Sequence, residues 1–412
     1  MGFLREEDSV SEMLERARGI QDRLVAWRRD VHAHPELGFE EHRTARLVAD
    51  VLRDRGITVE TGIGGTGVVG RLGVGRPGRG GPAVGLRADM DALPIQEAND
   101  VPYASQVPGV MHACGHDAHV AMLLGAAELL AGLPDSPEGR PEGRPEGEIR
   151  FLFQPSEEVP DAEGRSGAPR MIEEGALDGL DAVLALHVDS NAAAGTVGVR
   201  PDAIMAAVDP FSATIIGSGS HSAFPHEGVS PIAILAQVIE AVQSARALRI
   251  DPLKPAVIAL ESVYAGAATG VIPDRVEISG NIRSFDEDVR EQLHLELERA
   301  LCLARVGGGD YRLTIETYSP ATRNDPALTE LVSSVVREVA GPEALFEPQP
   351  RMYGEDFSAM ARQVPGVMAF LGIRAGDEPR PLHSSTFDLD ESALPVGAAV
   401  LAASALRFLR NE

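Results

Sequence analysis

The sequence predicts an α/β fold with a mostly parallel sheet, helices on both faces, and an inserted ferredoxin-like α+β domain. Three observations carry this prediction. The 412 residues exceed what one hydrophobic core usually organises. Strands alternate with helices over the first 200 residues, and that order resumes near the end. Between these two stretches, the order of strands and helices is different. We therefore predict a main domain at 1–200 and 318–412, with the insertion at 201–317.

Hydrophobic periodicity and glycine turns define the first part of the main domain. Its predicted elements are helices 11–29 and 44–55, strands 67–72 and 83–86, helix 118–130, strand 149–153, helix 171–174 and strand 182–186. The segment 135–148 holds a Pro-Glu-Gly-Arg tandem repeat without an apolar core. That composition predicts a solvated loop.

The inserted domain follows a different order, beginning near Pro201. Its predicted elements are strand 211–216, helix 231–248, strands 256–263 and 276–284, helix 287–305 and strand 312–317. This strand-helix-strand-strand-helix-strand order is typical of a ferredoxin-like domain. The main domain then resumes with helix 326–340, strand 367–371 and helix 394–409.

Composition and charge exclude several classes of function. A formal net charge of −25 repels phosphate backbones, so we expect no nucleic-acid partner. Lys254 is the only lysine, which argues against Schiff-base chemistry. No apolar run approaches a membrane span, so we expect no membrane association. The start lacks the layout of a signal peptide, and two cysteines favour a reducing cytoplasm.

The segment 112–119, His-Ala-Cys-Gly-His-Asp-Ala-His, is the strongest chemical signal in the chain. It places a thiol, three imidazoles and a carboxylate within eight residues. Transition metals prefer such soft and borderline ligands. In an extended segment Cys114 and His116 would face the same way.

Other candidate ligands follow the predicted strands. Strand 83–86 leads to Asp89 and Asp91, strand 149–153 to Glu157 and Glu158, strand 182–186 to His187, and strand 367–371 to a loop with His383. Sites in open α/β sheets form beyond the carboxyl ends of the strands. Taken singly, these residues have ordinary structural explanations, such as turn residues or core histidines. Their convergence predicts a metal site.

Spacing suggests how such a site would work. Adjacent Glu157 and Glu158 point apart, so one can bind metal while the other faces the water on that metal. Two divalent ions could share a thiolate. A metal lowers the pKa of its water from about 15.7 toward roughly 7, and a carboxylate can then take the proton before attack on a carbonyl.

At these residues the chain resembles the aminoacylase-type dinuclear metallopeptidases of family M20. Within them it is similar to the amidohydrolase branch, which includes hippurate hydrolases, auxin-conjugate hydrolases and N-acyl-amino-acid amidohydrolases. The resemblance covers nearly the whole chain. Its motifs are 29–36, 85–94, 111–119, 153–158, 186–187, 219–226, 354–357 and 382–388.

The resemblance implies a role for each candidate residue and two divalent metals, Mn²⁺ or Zn²⁺, with Co²⁺ as a further alternative. Cys114 would bridge the metals, and Glu157 would be the general base. His221, on an inserted lid and dimerisation domain, would stabilise the oxyanion across the interface of a homodimer or a higher homo-oligomer. The remaining implied roles are metal ligands for His116, Glu158, His187 and His383, substrate-carboxylate binding for Arg283, and orientation of the ligands for Asp91 and Asp117.

The resemblance also implies an activity, and alternatives remain open. The expected reaction is hydrolysis of a small N-acyl amino acid; an exopeptidase of the same fold would share the machinery. A cysteine hydrolase with Cys114 as nucleophile leaves the glutamates, His187 and His383 unexplained. A metal-dependent binding protein would need no base such as Glu157. Gly270 replaces the asparagine that relatives usually carry before Val-Ile-Pro, where it helps bind substrate.

Overall fold

The computed structural model describes residues 10, 12–74, 81–134, 144, 146–266, 268–376 and 378–411. Most of the predicted loop 135–148 lies outside these residues. The chain forms two compact units. The first takes the chain up to Asp202, Arg323–Gln349 and the chain from Ala359 onward. The second, the inserted unit, comprises Ala203–Thr322 and Pro350–Ser358.

The helices and strands are numbered in chain order. The strands are β1 (Thr58–Ile63), β2 (Gly67–Val74), β3 (Ala83–Asp89), β4 (Gly147–Gln154), β5 (Ala182–Ala193), β6 (Val197–Gly198), β7 (Asp202–Met205), β8 (Ala207–Ile216), β9 (Ser220–His221), β10 (Ala256–Ala265), β11 (Val271–Ile272), β12 (Arg275–Ser284), β13 (Asp310–Ile315), β14 (Thr322–Asn324), β15 (Leu345–Phe346) and β16 (Gly366–Arg374). The α-helices are α1 (Met13–Arg18), α2 (Gln21–Ala33), α3 (His42–Asp54), α4 (His116–Ala131), α5 (Gly167–Glu173), α6 (Pro231–Arg249), α7 (Glu287–Leu301), α8 (Leu303–Val306), α9 (Pro326–Val339), α10 (Phe357–Gln363) and α11 (Leu394–Arg410).

The described part of the first unit contains an eight-stranded sheet in the order β1-β2-β4-β3-β5-β16-β6-β15. Its central strands β4, β3, β5 and β16 run parallel. Strands β1 and β2 are added antiparallel at one side. Every residue of β3 is buried, as expected for a parallel strand that helices cover on both faces. The predicted α/β fold with a mostly parallel sheet is confirmed.

Helix α4 packs closely against helices from both ends of the chain. A Cβ at Gly125 would lie 2.4 Å from Leu24 of α2 and 3.0 Å from Ala398 of α11. A Cβ at Gly397 would lie 2.1 Å from the Met122 sulfur. Only glycine allows this approach. The contacts fix the position of α4, whose first residue is His116.

The C-terminal helix differs from what the sequence predicts. We expected no apolar run long enough to span a membrane. The helix at residues 391–410 is nevertheless long and apolar enough to do so, judged by length and composition alone. Within the most apolar window of this helix, 83% of the residues are buried inside the protein. Burial on all sides explains why the helix is apolar all round. It is a core helix of the first unit.

The inserted unit holds a four-stranded antiparallel sheet in the order β10-β12-β8-β13. Helices α6 and α7 follow its first and third strands in the chain. Buried side chains alternate along β12 at Val276, Ile278 and Ile282, and these pack with Val238 and Leu293 of the two helices. This is the ferredoxin-like order that the sequence predicts.

Candidate metal centre

The parallel strands bring most candidate ligands to one edge of the sheet. Asp89 ends β3 opposite Gln154, which ends β4, and the Glu157–Glu158 pair follows. His187 was expected to end its strand, but β5 continues to Ala193. The reason is that β5 extends past β3 and pairs with β16 beyond it. His187 therefore lies within a strand that projects past its neighbour.

Cys114 and His116 are brought together by a turn, so our expectation of an extended segment was wrong. Gly115 between them adopts the left-handed conformation with φ of 85°, and His116 begins α4. A Cβ at Gly115 would lie 2.5 Å from the Val188 side chain. Glycine is therefore required both for its backbone and for its small size.

The first group of donors is buried. The donor atoms of Cys114, His116 and His187 lie within 4.8 Å of one another. Cys114 Sγ is 3.6 Å from His187 Nε2. His187 Nδ1 donates to the Val188 carbonyl oxygen at 2.8 Å, which leaves Nε2 directed at the group. These three side chains can hold one cation.

His116 has one buried ring nitrogen without a hydrogen-bond partner among the described residues. Its Nδ1 lies 2.9 Å from the Asp91 carbonyl oxygen and 3.2 Å from the Asp91 carboxylate. Its Nε2 is buried and has no hydrogen-bond partner among the described residues. Buried ring nitrogens are normally paired, and a histidine that binds a metal through one nitrogen is usually held by a hydrogen bond at the other.

The second group is more open and shares Cys114 with the first. The donor atoms of Cys114, Glu158 and His383 also lie within 4.8 Å of one another. His383 Nε2 is 3.0 Å from Glu158 Oε1, but the two atoms lack hydrogen-bond alignment. Two ligands facing one cation would have this arrangement.

The backbone around His383 is unusual. His383 has a left-handed φ of 59°, which is uncommon outside glycine. Its N–H donates to the Ala113 carbonyl oxygen at 2.8 Å, next to Cys114. Such strained residues persist where the surrounding structure holds them, and they cluster at functional sites.

Glu157 lies beside both groups. A donor atom of Glu157 lies within 4.8 Å of donors from His116 and Glu158. Asp91 orients this region because one carboxylate oxygen accepts the Glu158 N–H at 3.0 Å while the other faces His116. The structure thus brings together Cys114, His116, Glu157, Glu158, His187 and His383, with Asp91 behind them.

His119 lies next to the cluster but has both nitrogens occupied. Its Nδ1 lies 2.6 Å from Asp89 Oδ1, and its Nε2 accepts the Val188 N–H at 3.0 Å. The accepting Nε2 places the ring hydrogen on Nδ1, which donates to Asp89. Burial lowers the pKa of His119, in keeping with a neutral ring. His119 therefore supports the site and is not a free ligand.

The electrostatics of the cluster favour a cation. Burial and the charges of Glu158 and Glu157 raise the pKa of the Cys114 thiol well above its usual range. A thiolate would therefore need a positive neighbour. Burial holds the pKa of His187 well below its usual value, so this imidazole is neutral and ready to coordinate.

His116 reports the same preference. Burial lowers its pKa, but the charges of Asp89 and Asp91 outweigh that effect and raise it to about 10. The carboxylates of Asp89 and Asp91 therefore favour a positive charge at the His116 ring, whether that charge is a proton or a metal ion. With the unpaired Nε2 and the Cys114 thiol, the donor set fits a divalent transition metal.

Three predicted residues lie away from this donor set or belong to the inserted unit. Asp117 contacts Arg28 Nε at 2.7 Å and His32 Nδ1 at 2.8 Å, rather than a ligand side chain. His221 is exposed on β9, and its Nδ1 accepts the Ala223 N–H at 3.0 Å. Arg283 of β12 donates to the Met352 carbonyl oxygen at 2.8 Å. The predicted roles of these residues stay predictions.

Gly270 also lies in the inserted unit. It has a left-handed φ of 85°, and an added Cβ would meet nothing within 4 Å. Asparagine tolerates this conformation better than most residues. An asparagine here would find room for its side chain, but any residue with a side chain is strained in this backbone conformation.

Sequence reasoning missed a buried arginine behind the cluster. Arg28 is fully buried and pairs with Asp117, with Asp388 at 3.4 Å and with Glu391 at 3.3 Å. It therefore joins the segment that carries His116 to the segment that follows His383. A signal was present, because Arg28 occupies the apolar face of α2, four residues after Leu24.

Comparison with known proteins agrees with this geometry. The model of peptidase family M20/M25/M40 matches residues 85–407. Thermostable carboxypeptidase 2 of Saccharolobus solfataricus is 39% identical over 97% of this chain and 99% of its own. N-acetyl-L-cysteine deacetylase of Bacillus subtilis is 38% identical over 95% and 90%. IAA-amino acid hydrolase ILR1-like 4 of Arabidopsis thaliana is 37% identical over 94% and 86%.

Solved structures agree as well. A protein of methicillin-resistant Staphylococcus aureus, described as an aminohydrolase, superposes with a TM-score of 0.88 and 32% identity, covering 97% of this chain and 99% of that one. The Bacillus subtilis YXEP protein, a dinuclear metal-binding peptidase of family M20, superposes with a TM-score of 0.80 and 31% identity, covering 95% and 99%. The family predicted from the sequence is confirmed: this chain belongs to peptidase family M20/M25/M40.

Proposed function

We propose that the protein is a metal-dependent amidohydrolase that cleaves N-acyl amino acids or similar small conjugates. Its cofactor would be two divalent cations, Mn²⁺ or Zn²⁺, with Co²⁺ as a further alternative. One observation carries the proposal. Two separate groups of donors share the sulfur of Cys114, as a ligand that bridges two cations would.

The residues divide the chemistry among them. Cys114, His116, His187, Glu158 and His383 would hold the cations. Bound divalent cations supply Lewis acidity and make a coordinated water acidic near neutral pH. Glu157, whose carboxylate lies near His116 and Glu158, would act as the general base and would return the proton to the leaving nitrogen. From the inserted unit, His221 would stabilise the oxyanion, and Arg283 would bind the substrate carboxylate.

The relatives support a small acylated substrate. Two of the named relatives act on N-acetyl-L-cysteine and on amino acid conjugates of IAA. The carboxypeptidase relative supports the second candidate, a metallo-exopeptidase of the same fold. Rates on N-acetyl, N-benzoyl and indole-acetyl amino acids should exceed those on dipeptides and peptide C-termini. Faster cleavage of the peptides would favour the exopeptidase.

The Glu157→Gln variant tests the proposed base. Turnover should fall by about 100- to 10 000-fold, because a neutral amide cannot accept the proton. The number of bound cations, measured by elemental analysis, should stay at the wild-type value. Glu163→Gln is the matched control, since Glu163 lies in the same loop and, among the described residues, its carboxylate pairs with Arg165 and Arg170. Full activity in Glu157→Gln would refute the assignment.

A chelator separates this mechanism from a cysteine hydrolase. Activity should disappear with EDTA and return with added Mn²⁺ or Zn²⁺. A thiol nucleophile at Cys114 would instead keep its activity in EDTA. The high pKa of this buried thiol argues against that alternative.

Assembly and location complete the proposal. The homodimer would form through the inserted unit, whose edge strand β10 exposes Val263 and Tyr264. Light scattering of the purified protein should give twice the monomer mass. A monomer at micromolar concentration would contradict this. We also propose a cytoplasmic location, in keeping with the free thiols of Cys114 and Cys302, and cell fractionation tests it.

A further inference from the structure

Ser156, the residue before the Glu157–Glu158 pair, has an uncommon backbone. Its φ is 40°, in the left-handed region that residues with a side chain rarely adopt. Ser156 is fully buried, so solvent does not stabilise this conformation. The direction in which the chain leaves Ser156 sets where the two following carboxylates point. Something in the protein must hold this residue in place.

Hydrogen bonds on both sides hold Ser156. Its N–H donates to Glu41 Oε1 at 2.8 Å, and its hydroxyl donates to the Val159 carbonyl oxygen at 2.6 Å. The hydroxyl bond closes a loop over the Glu157–Glu158 pair. Gly38 leaves room for Ser156, because a Cβ there would lie 2.1 Å from the hydroxyl oxygen.

Glu41 is the remote end of this arrangement. It precedes helix α3, 115 residues away from Ser156 in the chain, and is fully buried. Its second oxygen accepts the hydroxyl of Thr66, in the turn between β1 and β2. Burial and the charge of Asp91 raise the pKa of Glu41 to about 7. Burial of a carboxylate costs free energy, and the hydrogen bonds from Ser156 and Thr66 offset part of that cost.

We infer that Glu41 is a positioning residue for the Glu157–Glu158 pair, acting through the backbone of Ser156. The inference rests on the proposed function, because it assigns Glu41 to the loop that carries the proposed base and one proposed ligand. The hydrogen bonds of the Glu41 carboxylate within the described residues go to Thr66 and Ser156, and not to a proposed ligand side chain. It would act by fixing the geometry in which Glu157 faces the water and Glu158 faces the cation.

Glu36 offers a matched control. It is also a glutamate near the start of α3, and it accepts the N–H groups of Arg43 at 2.8 Å and Thr44 at 2.9 Å. These bonds cap the helix but do not reach the loop after β4. Loss of Glu36 should therefore lower stability while sparing the site.

The test compares Glu41→Ala, Glu41→Gln and Glu36→Ala in the metal-loaded full chain. We expect kcat of Glu41→Ala to fall by about 100-fold with KM little changed, because a misplacement near 1 Å has that effect. In Glu41→Gln the amide oxygen can still accept the Ser156 N–H, so kcat should stay within about threefold of wild type. Glu36→Ala should melt at a lower temperature with wild-type kcat.

Cation binding gives a second measurement. Calorimetric titration with Mn²⁺ should show one cation bound about tenfold more weakly in Glu41→Ala, the one that Glu158 contacts, and wild-type binding in Glu36→Ala. If Glu41→Ala does not fold, Thr66→Val serves instead. We expect the affinity for the same cation to fall in this variant too, but by a smaller factor. A folded Glu41→Ala with wild-type kcat and wild-type cation affinity would overturn the inference.

Two results separate this inference from the proposed function. Wild-type protein that binds no cation and cleaves no amide would contradict the proposed function and, with it, the inference. Active wild type with an equally active Glu41→Ala would overturn the inference alone. Equal losses of kcat in Glu41→Ala and Glu36→Ala would also overturn it, since they would show a general structural role.

Discussion

The two halves of the donor cluster differ in their access to solvent. Cys114, His116 and His187 are 7%, 1% and 4% exposed, and they come from the start of a helix and the middle of a strand. In the other half, the His383 side chain is 52% exposed and Glu158 is 11% exposed. Both of these follow strands in loops.

Cys114 therefore belongs both to an enclosed group of donors and to an open one. Closed sites hold a metal, while catalytic sites keep a position open for water or substrate. The buried half resembles the closed kind and the exposed half the open kind, with Cys114 common to both. We therefore expect the buried half to anchor a cation and the open half to meet the substrate.

Replacing the shared sulfur should have the largest effect. Cys114→Ala removes a donor from both groups, so elemental analysis should find fewer than the wild-type number of cations. Turnover should fall by at least about 1000-fold, since bound metal supplies several kcal/mol of transition-state stabilisation. Cys302→Ala is the control, because that cysteine lies in the inserted unit beside Tyr311. Wild-type cation content in Cys114→Ala would contradict the assignment of Cys114 to both groups of donors.

The two histidines at opposite ends of the cluster should respond differently to added imidazole. Turnover should fall by about 100-fold in both His187→Ala and His383→Ala, because each loses a metal ligand. Free imidazole should restore activity in His383→Ala, where the site is half exposed, but not in His187→Ala, where the cavity is buried. Rescue of both variants would contradict the difference in access between the two halves, and rescue of His187→Ala alone would reverse it.

Arg28 and Arg29 test what stabilises the buried half. Arg28→Met leaves Asp117 buried without its charge partner, so the free energy of unfolding should fall by about 3–5 kcal/mol. Arg29 is 45% exposed and pairs with Glu391, so Arg29→Met should cost less than about 1 kcal/mol. Urea denaturation of the metal-free protein measures both. Equal losses of unfolding free energy in the two variants would mean that the buried ion pairs of Arg28 stabilise the protein no more than the exposed pair of Arg29.

Much of the fold could be predicted from the sequence, because apolar runs and helical periodicity are local signals. Strand 149–153 is observed as Gly147–Gln154, and helix 326–340 as Pro326–Val339. The strand Thr58–Ile63 was missed because its side chains are mostly exposed and polar, as on a sheet edge. The helix predicted over 287–305 is interrupted at Cys302, where no local residue type signals a break.

Residues that act at a distance were harder to predict. The ligand types could be recognised because they follow strands, and strand ends converge in an α/β sheet. The left-handed turn at Gly115 and the projection of β5 beyond β3 depend on packing, so spacing alone gave the wrong local geometry for Cys114 and His187. Arg28 and Glu41 bind groups far along the chain, and only the folded structure shows those partners.

Anomalous diffraction from crystals of the Mn²⁺- or Zn²⁺-loaded protein tests the central claim most directly. We predict two metal peaks per chain, both within coordination distance of Cys114 Sγ, about 2.3 Å for zinc. One peak should lie beside His116 and His187, and the other beside Glu158 and His383. A single peak, or two peaks of which only one lies next to the sulfur, would contradict the shared-ligand arrangement on which the account depends.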